Sequence, residues 1–169
     1  MKVFIIVVGL LAAAVLRGET PYTDRIRCVL EQIRREHTPE GLPLLRGCSK
    51  SYGGTHGTFF LLGPYVCSRA TPDDVVAMFR DSSPVIRILA AKRVSMGTAP
   101  HFRTEILAQL VNDKTRVSIG PLDDETDADR TMTVAEVVQA LMRDPHFMPL
   151  AFPGEEPNQS SQPTRPTGG

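Results

Sequence analysis

The amino-acid sequence predicts an all-α fold, a stack of antiparallel helix pairs interrupted by one irregular loop region. Three features carry that expectation. The stretch from Asp81 to Val94, which ends in SPVIRILAAKRV, is apolar almost all the way round a helical wheel. Val85, Ile86, Ile88, Leu89, Ala90, Ala91, Val94 and Met96 leave only narrow gaps for Arg87, Lys92 and Arg93. No single flat surface covers such a helix, so it calls for neighbours on several sides. Helix-start signals recur at Thr71, at Ser82 or Ser83, and at Thr133. Finally, the segment from Met78 to Arg87 lines up with LVNDKTRVSI, Leu110 to Ile119, at an offset of 32 residues. That alignment matches Asp81 with Asp113, Ser83 with Thr115 and Val85 with Val117.

Taken in chain order, Thr23 can cap a first helix from Asp24 to about His37, whose apolar stripe is Ile26, Val29, Leu30 and Ile33. Its other faces carry Arg27, Glu31, Arg34 and Arg35, the one-sided pattern of a helix at the end of a stack. From Thr38 to Val66 the signal is poor. Pro43 and Pro64 disfavour helix in the residues before them, and Phe59 to Leu62 reads as strand or helix. Next, Thr71 caps a helix with Pro72 at its first position and Asp73 and Asp74 at the positive end of its dipole. Val75, Val76, Met78 and Phe79 form its core face. Pro84 opens the all-round apolar helix, which runs to about Met96. A further helix spans Phe102 to Val111, with Phe102, Ile106, Leu107, Leu110 and Val111 apolar. The last runs from about Val134 to Met142, where Thr133 and Glu136 form the capping-box pattern.

With 169 residues the chain falls within one domain and can bury a sizeable core without metals or many disulfides. Charge is balanced, with 19 basic and 19 acidic residues, so no general attraction draws it to nucleic acid or an anionic membrane. Tryptophan is absent, which further weakens a base-stacking role. Residues 1–18 read as a secretory signal peptide: Lys2, an apolar run from Val3 to Leu16, and small residues at Ala12 to Ala14, with cleavage after Ala14 or near Gly18. The run is shorter than the roughly 20 apolar residues of a spanning helix, so no stable membrane span is expected after cleavage. If the signal reading fails, the protein is cytoplasmic. Residues 19–152 form the helical domain. Residues 153–169, rich in Pro, Gly, Ser and Gln, are expected to be a disordered tail.

The segment in which a helix ends in apolar, apolar, polar, Asp and then Ser-Pro-Val-Ile-Arg with alanines resembles a HEAT repeat, especially its short bacterial HEAT-like form. The resemblance covers Thr71 to Met96 well and Phe102 to Val117 plus the Val134 helix less well, because Arg116 replaces the proline and Ser118 to Met132 intervenes. It implies a short α-solenoid. Asp and the small polar residues would form the turn, Pro84 would start the second helix, and Val85, Ala90 and Ala91 would pack inside. It also implies scaffolding and protein-partner binding, with no catalytic residues and no cofactor to carry over.

The remaining motifs favour structural roles over chemistry. Three cysteines allow one bridge, and Cys48 with Cys67 is the expected disulfide in an exported chain, because Cys28 faces the polar side of its helix. Their spacing does not read as a zinc site. Glu125 to Glu136 places oxygen-bearing residues as a calcium loop does, but Arg130 stands where the loop needs glycine and Gly120-Pro121 would break the incoming helix. Gly53 to Thr58 lacks the lysine and spacing of a phosphate loop. The expected function is therefore a non-catalytic protein-binding or scaffolding domain, exported, presenting a helical face or the Cys48 to Cys67 loop to a protein partner. The alternatives are an enzyme using the Cys/His loop around His56 and a calcium-binding protein.

Overall fold

The computed structural model describes residues 22–45, 57–97, 103–120, 130–147, 150 and 152. These form six helices and three short strands: α1 (Asp24–Arg34), β1 (Leu44–Leu45), α2 (Thr58–Arg69), α3 (Pro72–Phe79), α4 (Pro84–Ser95), α5 (Arg103–Leu110), β2 (Arg116–Ile119), β3 (Arg130–Thr133) and α6 (Val134–Arg143). The molecule is predominantly helical, in line with the class the sequence predicts. Helix α4 is its axis and packs against α1, α2, α3, α5, α6 and β2. Val85, Ile86, Ile88, Leu89, Ala90, Ala91 and Val94 are all buried, which is why that helix is apolar on every side. Met96 lies just past the helix end and is exposed.

Four boundary details depart from the sequence reading, each for a local reason. Helix α1 stops at Arg34 rather than His37. Pro39 disfavours helical geometry at Thr38, and the chain turns through Gly41 at φ +82° so that Leu44 N–H reaches Glu36 O. Thr23 precedes α1 but gives it no side-chain cap. Its backbone N–H and hydroxyl go instead to Asp74 on α3, at 2.9 and 3.4 Å. At Ser83 the side chain also leaves α4 uncapped. Finally, the ambiguous stretch around Phe59 is helical through Pro64, with Phe59, Gly63, Val66 and Cys67 buried, so this part of the expected loop region is α2. An internal proline costs about 3 kcal/mol. Burial of those side chains against α1 and α4 offsets it, and Glu36 Oε1 accepts from Thr58 N–H at the helix start.

The second unit departs most. After α5 the chain does not form a partner helix but strand β2, which pairs parallel with β1 and antiparallel with β3. Arg116-Val-Ser-Ile is a short alternating segment followed by Gly120-Pro121, too short and too β-branched to sustain a helix. Val117 is nevertheless buried like its counterpart Val85. The two capping boxes, Thr71 with Asp74 and Thr133 with Glu136, are both formed. Beyond α6 the chain returns over the bundle, where Leu150 and Phe152 are buried.

Candidate binding cleft

Among the described residues, buried charged groups gather at helix ends. In the two matched turns, Asp81 Oδ1 accepts from Ser83 N–H at 2.8 Å and Asp113 Oδ1 accepts from Thr115 N–H at 2.9 Å. The repeated Asp-x-Ser/Thr thus builds the same side-chain turn twice. Arg87 joins them. Its guanidinium donates to Asp113 Oδ2 at 2.8 Å, to the carbonyls of Asp81 and Ser82 at 2.7 and 3.0 Å, and to Thr115 Oγ1 at 3.0 Å. Tyr22 and Arg34 both donate to Asp81 Oδ2, the tyrosine at 2.6 Å, tying α1 to the first turn. For Asp113 burial opposes ionisation, but bonds from Thr115 and Arg87 outweigh it and hold the carboxyl below the usual carboxylate range. Asp74 behaves alike: burial opposes, while donors from Thr23 and Thr71 lower it.

Lys92 is the one lysine among the described residues that is wholly buried. Its ammonium donates to Pro145 O at 2.6 Å and sits 4.9 Å from the centre of the Phe152 ring. That ring lies 5.8 Å from Phe59 and against Gly63. A buried ammonium needs such partners, so Lys92 anchors the returning C-terminal segment.

The open concavity lies elsewhere, along the outer stripe of α6. Val134, Val137, Val138 and Leu141 are buried, which turns Glu136, Gln139, Ala140 and Arg143 to the opposite side at helical spacing. Strand β3 contributes Arg130, Thr131 and Met132 to the lining, and Phe147 joins them from beyond the helix end. The cleft has a volume of about 310 Å³. Its apolar floor is Met132 and Phe147, both partly buried against the core. Glu136 is occupied: its Oε2 accepts from Thr133 N–H at 2.7 Å and from Thr133 Oγ1 at 2.9 Å. Those bonds, the backbone one first, together with the charge of Arg130 lower its carboxyl below the ordinary value. Arg130 and Arg143 make no ion pair within the described residues. A second concavity, lined by Arg25, Arg69, Thr23 and Asp24, is apolar in character and carries its own carboxylate.

Among the described residues, those singled out from sequence do not gather into a site. Cys67 is buried in α2 rather than at a loop edge, Cys28 is exposed on α1 as its position predicts, and Cys48 lies outside the described residues together with His56 and Gly53 to His56 of the glycine-rich loop. Of the calcium-like stretch, 125–129 also lies outside them; Arg130 to Thr133 is strand, and the Glu136 carboxylate caps α6. Among the described residues no group of three or more His, Cys, Asp or Glu side chains converges on a metal position, and no helix is long and apolar enough to cross a membrane. Residues 1–21 and 153–169, which hold the expected signal and tail, are outside the described set. Sequence reasoning missed Lys92, Arg87, Arg130 and Arg143. The spacing of Glu136, Gln139 and Arg143, a polar stripe opposite an apolar one, was the signal for the cleft. No family model, curated protein or solved structure matches this chain.

Proposed function

We propose that this protein is a non-catalytic, exported protein-binding module, built on HEAT-like helix pairs, that takes its partner in the cleft between β3 and α6. The cleft carries the reading. It pairs an apolar floor, Met132 and Phe147, with a polar wall and two arginines unpaired within the described residues, the composition of a small recognition surface. The HEAT-like part is supported by α3 and α4, which leave an Asp turn, start the second helix with Pro84 and bury Val85, Ala90 and Ala91. The Arg87 bridge between the two Asp turns supports it too, since neighbouring units of a stacked repeat contact each other. Export rests on residues 1–18.

The test is site-specific photo-crosslinking in the native cells. A photoreactive residue at Gln139, on the cleft wall, is expected to trap a discrete protein, and the same group at Glu31, on the exposed side of α1, is not. Identical products from both positions, or none from Gln139, would overturn the proposal.

A further inference from the structure

We infer that the β3–α6 cleft recognises an acidic segment in extended conformation; this rests on the protein-binding reading and names the chemistry of the partner. Three observations converge. First, Arg130 and Arg143 both line one concavity against a single carboxylate, Glu136, so the lining carries one net positive charge; Glu136 Oε2 is already engaged by Thr133 through hydrogen bonds of 2.7 and 2.9 Å. The whole chain carries equal numbers of basic and acidic residues, so this excess is local to the cleft.

Second, the wall offers backbone. Ser118 N–H and Gly120 N–H point to β1, where they reach Pro43 O and Leu45 O. Alternation along β2 then turns Val117 and Ile119 toward Met132 and Arg130, their partners in β3. The N–H and C=O of Thr131 therefore face away from the sheet, on its outer edge, and have no backbone partner among the described residues. An extended chain laid there gains a pair of main-chain hydrogen bonds.

Third, the dimensions agree. Glu136 and Arg143 are two helical turns apart, about 10 Å along the axis. About three residues of extended chain cover that length, and carboxylates two residues apart share one face with about 6.8 Å between them. Arginine side chains on flexible stems reach both from the two ends, and planar guanidinium groups suit carboxylates.

The probe is a fluorescein-labelled peptide, Gly-Ser-Glu-Thr-Glu-Ser-Gly, titrated against the full chain by anisotropy, beside the same peptide with both Glu replaced by Gln. The expected result is saturable binding of the acidic peptide that weakens at least about threefold in the Gln version, in R143E and in R130E, that falls with added salt, and that R69E leaves unchanged. R130Q and R143Q, which alter exposed side chains without adding a charge, are expected to lie between wild type and the reversals. Equal binding of the two peptides, no saturable binding, or equal weakening by R69E would overturn the inference. The two proposals fail separately: a partner trapped from Gln139 with no preference for the acidic peptide removes the acidic class and leaves protein binding standing.

Discussion

Replacing Gly63 with alanine sets two effects of similar size against each other, and the structure decides which wins. In favour of alanine, a glycine inside a helix costs about 0.8–1.0 kcal/mol relative to alanine, a gain that Pro64 reduces here because its Cδ crowds a Cβ on the residue before it. Against it, a Cβ at position 63 would lie 2.5 Å from Phe152 Cε1 and 2.7 Å from Cζ, with Leu89 Cδ1 at 3.5 Å. Ordinary contact requires a displacement of roughly 1 Å, since carbons pack at about 3.5–4.0 Å. The ring has little room to yield, because it is buried between Phe59 and the Lys92 ammonium. Overpacking of this kind costs about 1–3 kcal/mol. Its ceiling is expulsion of the ring, which forfeits about 1.5–3 kcal/mol of burial and about 0.5–2 kcal/mol of cation–π attraction. Set against that reduced helix gain, G63A is destabilised by up to about 3 kcal/mol, at roughly 2–4 °C in Tm per kcal/mol for a domain of this size. In an F152A background the clash with the ring is gone and only the crowding by Pro64 remains, so the same substitution is expected to cost about 1–3 kcal/mol less than in the wild type. Urea unfolding followed by circular dichroism on the four proteins of this cycle measures the difference. Stabilisation by G63A in the wild-type background, or destabilisation of equal size in both, would refute the fit between Gly63 and Phe152.

Three further outcomes rest on the same kind of contact and on the cysteines. D81A is expected to cost about 3 kcal/mol, because it strands Arg34 and removes acceptors from Tyr22 and Ser83 together, whereas Tyr22→Phe loses one bond and about 1 kcal/mol; urea midpoints rank the two. Asp74 and Asp113 have carboxyls lowered in the folded state, so their contribution is present above the unfolded value of about 3.9 and is lost as pH falls through the lowered folded values. Unfolding free energy measured from pH 7 to pH 2 should fall on the acid side, and D74N should flatten that limb; an unchanged slope would contradict the assignment. Intact mass of protein from its native cells, alkylated with and without reduction, is expected to show a shortened chain with one disulfide. A full-length chain with three free thiols would contradict export and the Cys48 to Cys67 pairing.

The elements that were legible in the sequence are those whose signals are local. Thr71 with Pro72 and Asp74, and Thr133 with Glu136, announced their helices because a cap and its first turn lie within four residues and need nothing distant; the structure adds that Asp74 closes a capping box on Thr71. The apolar circumference of α4 announced a central helix because burial on every side leaves no other composition. Thr23 shows the limit: the residue type was right for a cap, but Asp74, 51 positions away, claimed its hydroxyl. Helix α2 shows the same limit in reverse, since Pro64 argues against helix locally and the burial of Phe59, Gly63 and Val66 overrides it.

The repeat exposes a finer distinction between turn and element. Asp-x-Ser/Thr dictates the turn, and both copies form it with backbone bonds of 2.8 and 2.9 Å. The element after the turn is decided by a different set of residues. Pro-Val-Ile-Arg-Ile-Leu-Ala-Ala after Ser83 supplies about two helical turns of core contacts, whereas Arg-Val-Ser-Ile after Thr115 meets Gly120-Pro121 before one turn could repay nucleation. The second copy therefore keeps the hinge and its buried valine but finds its hydrogen bonds in β1 and β3. That exchange also creates the candidate cleft. A helix in place of β2 would have left β3 without a partner, and Arg130 and Thr131 would not stand beside the polar stripe of α6. The site thus depends on the place where the second Asp turn is followed by strand, which is why a reading that expected a helix pair there foresaw the helical class and missed the cleft.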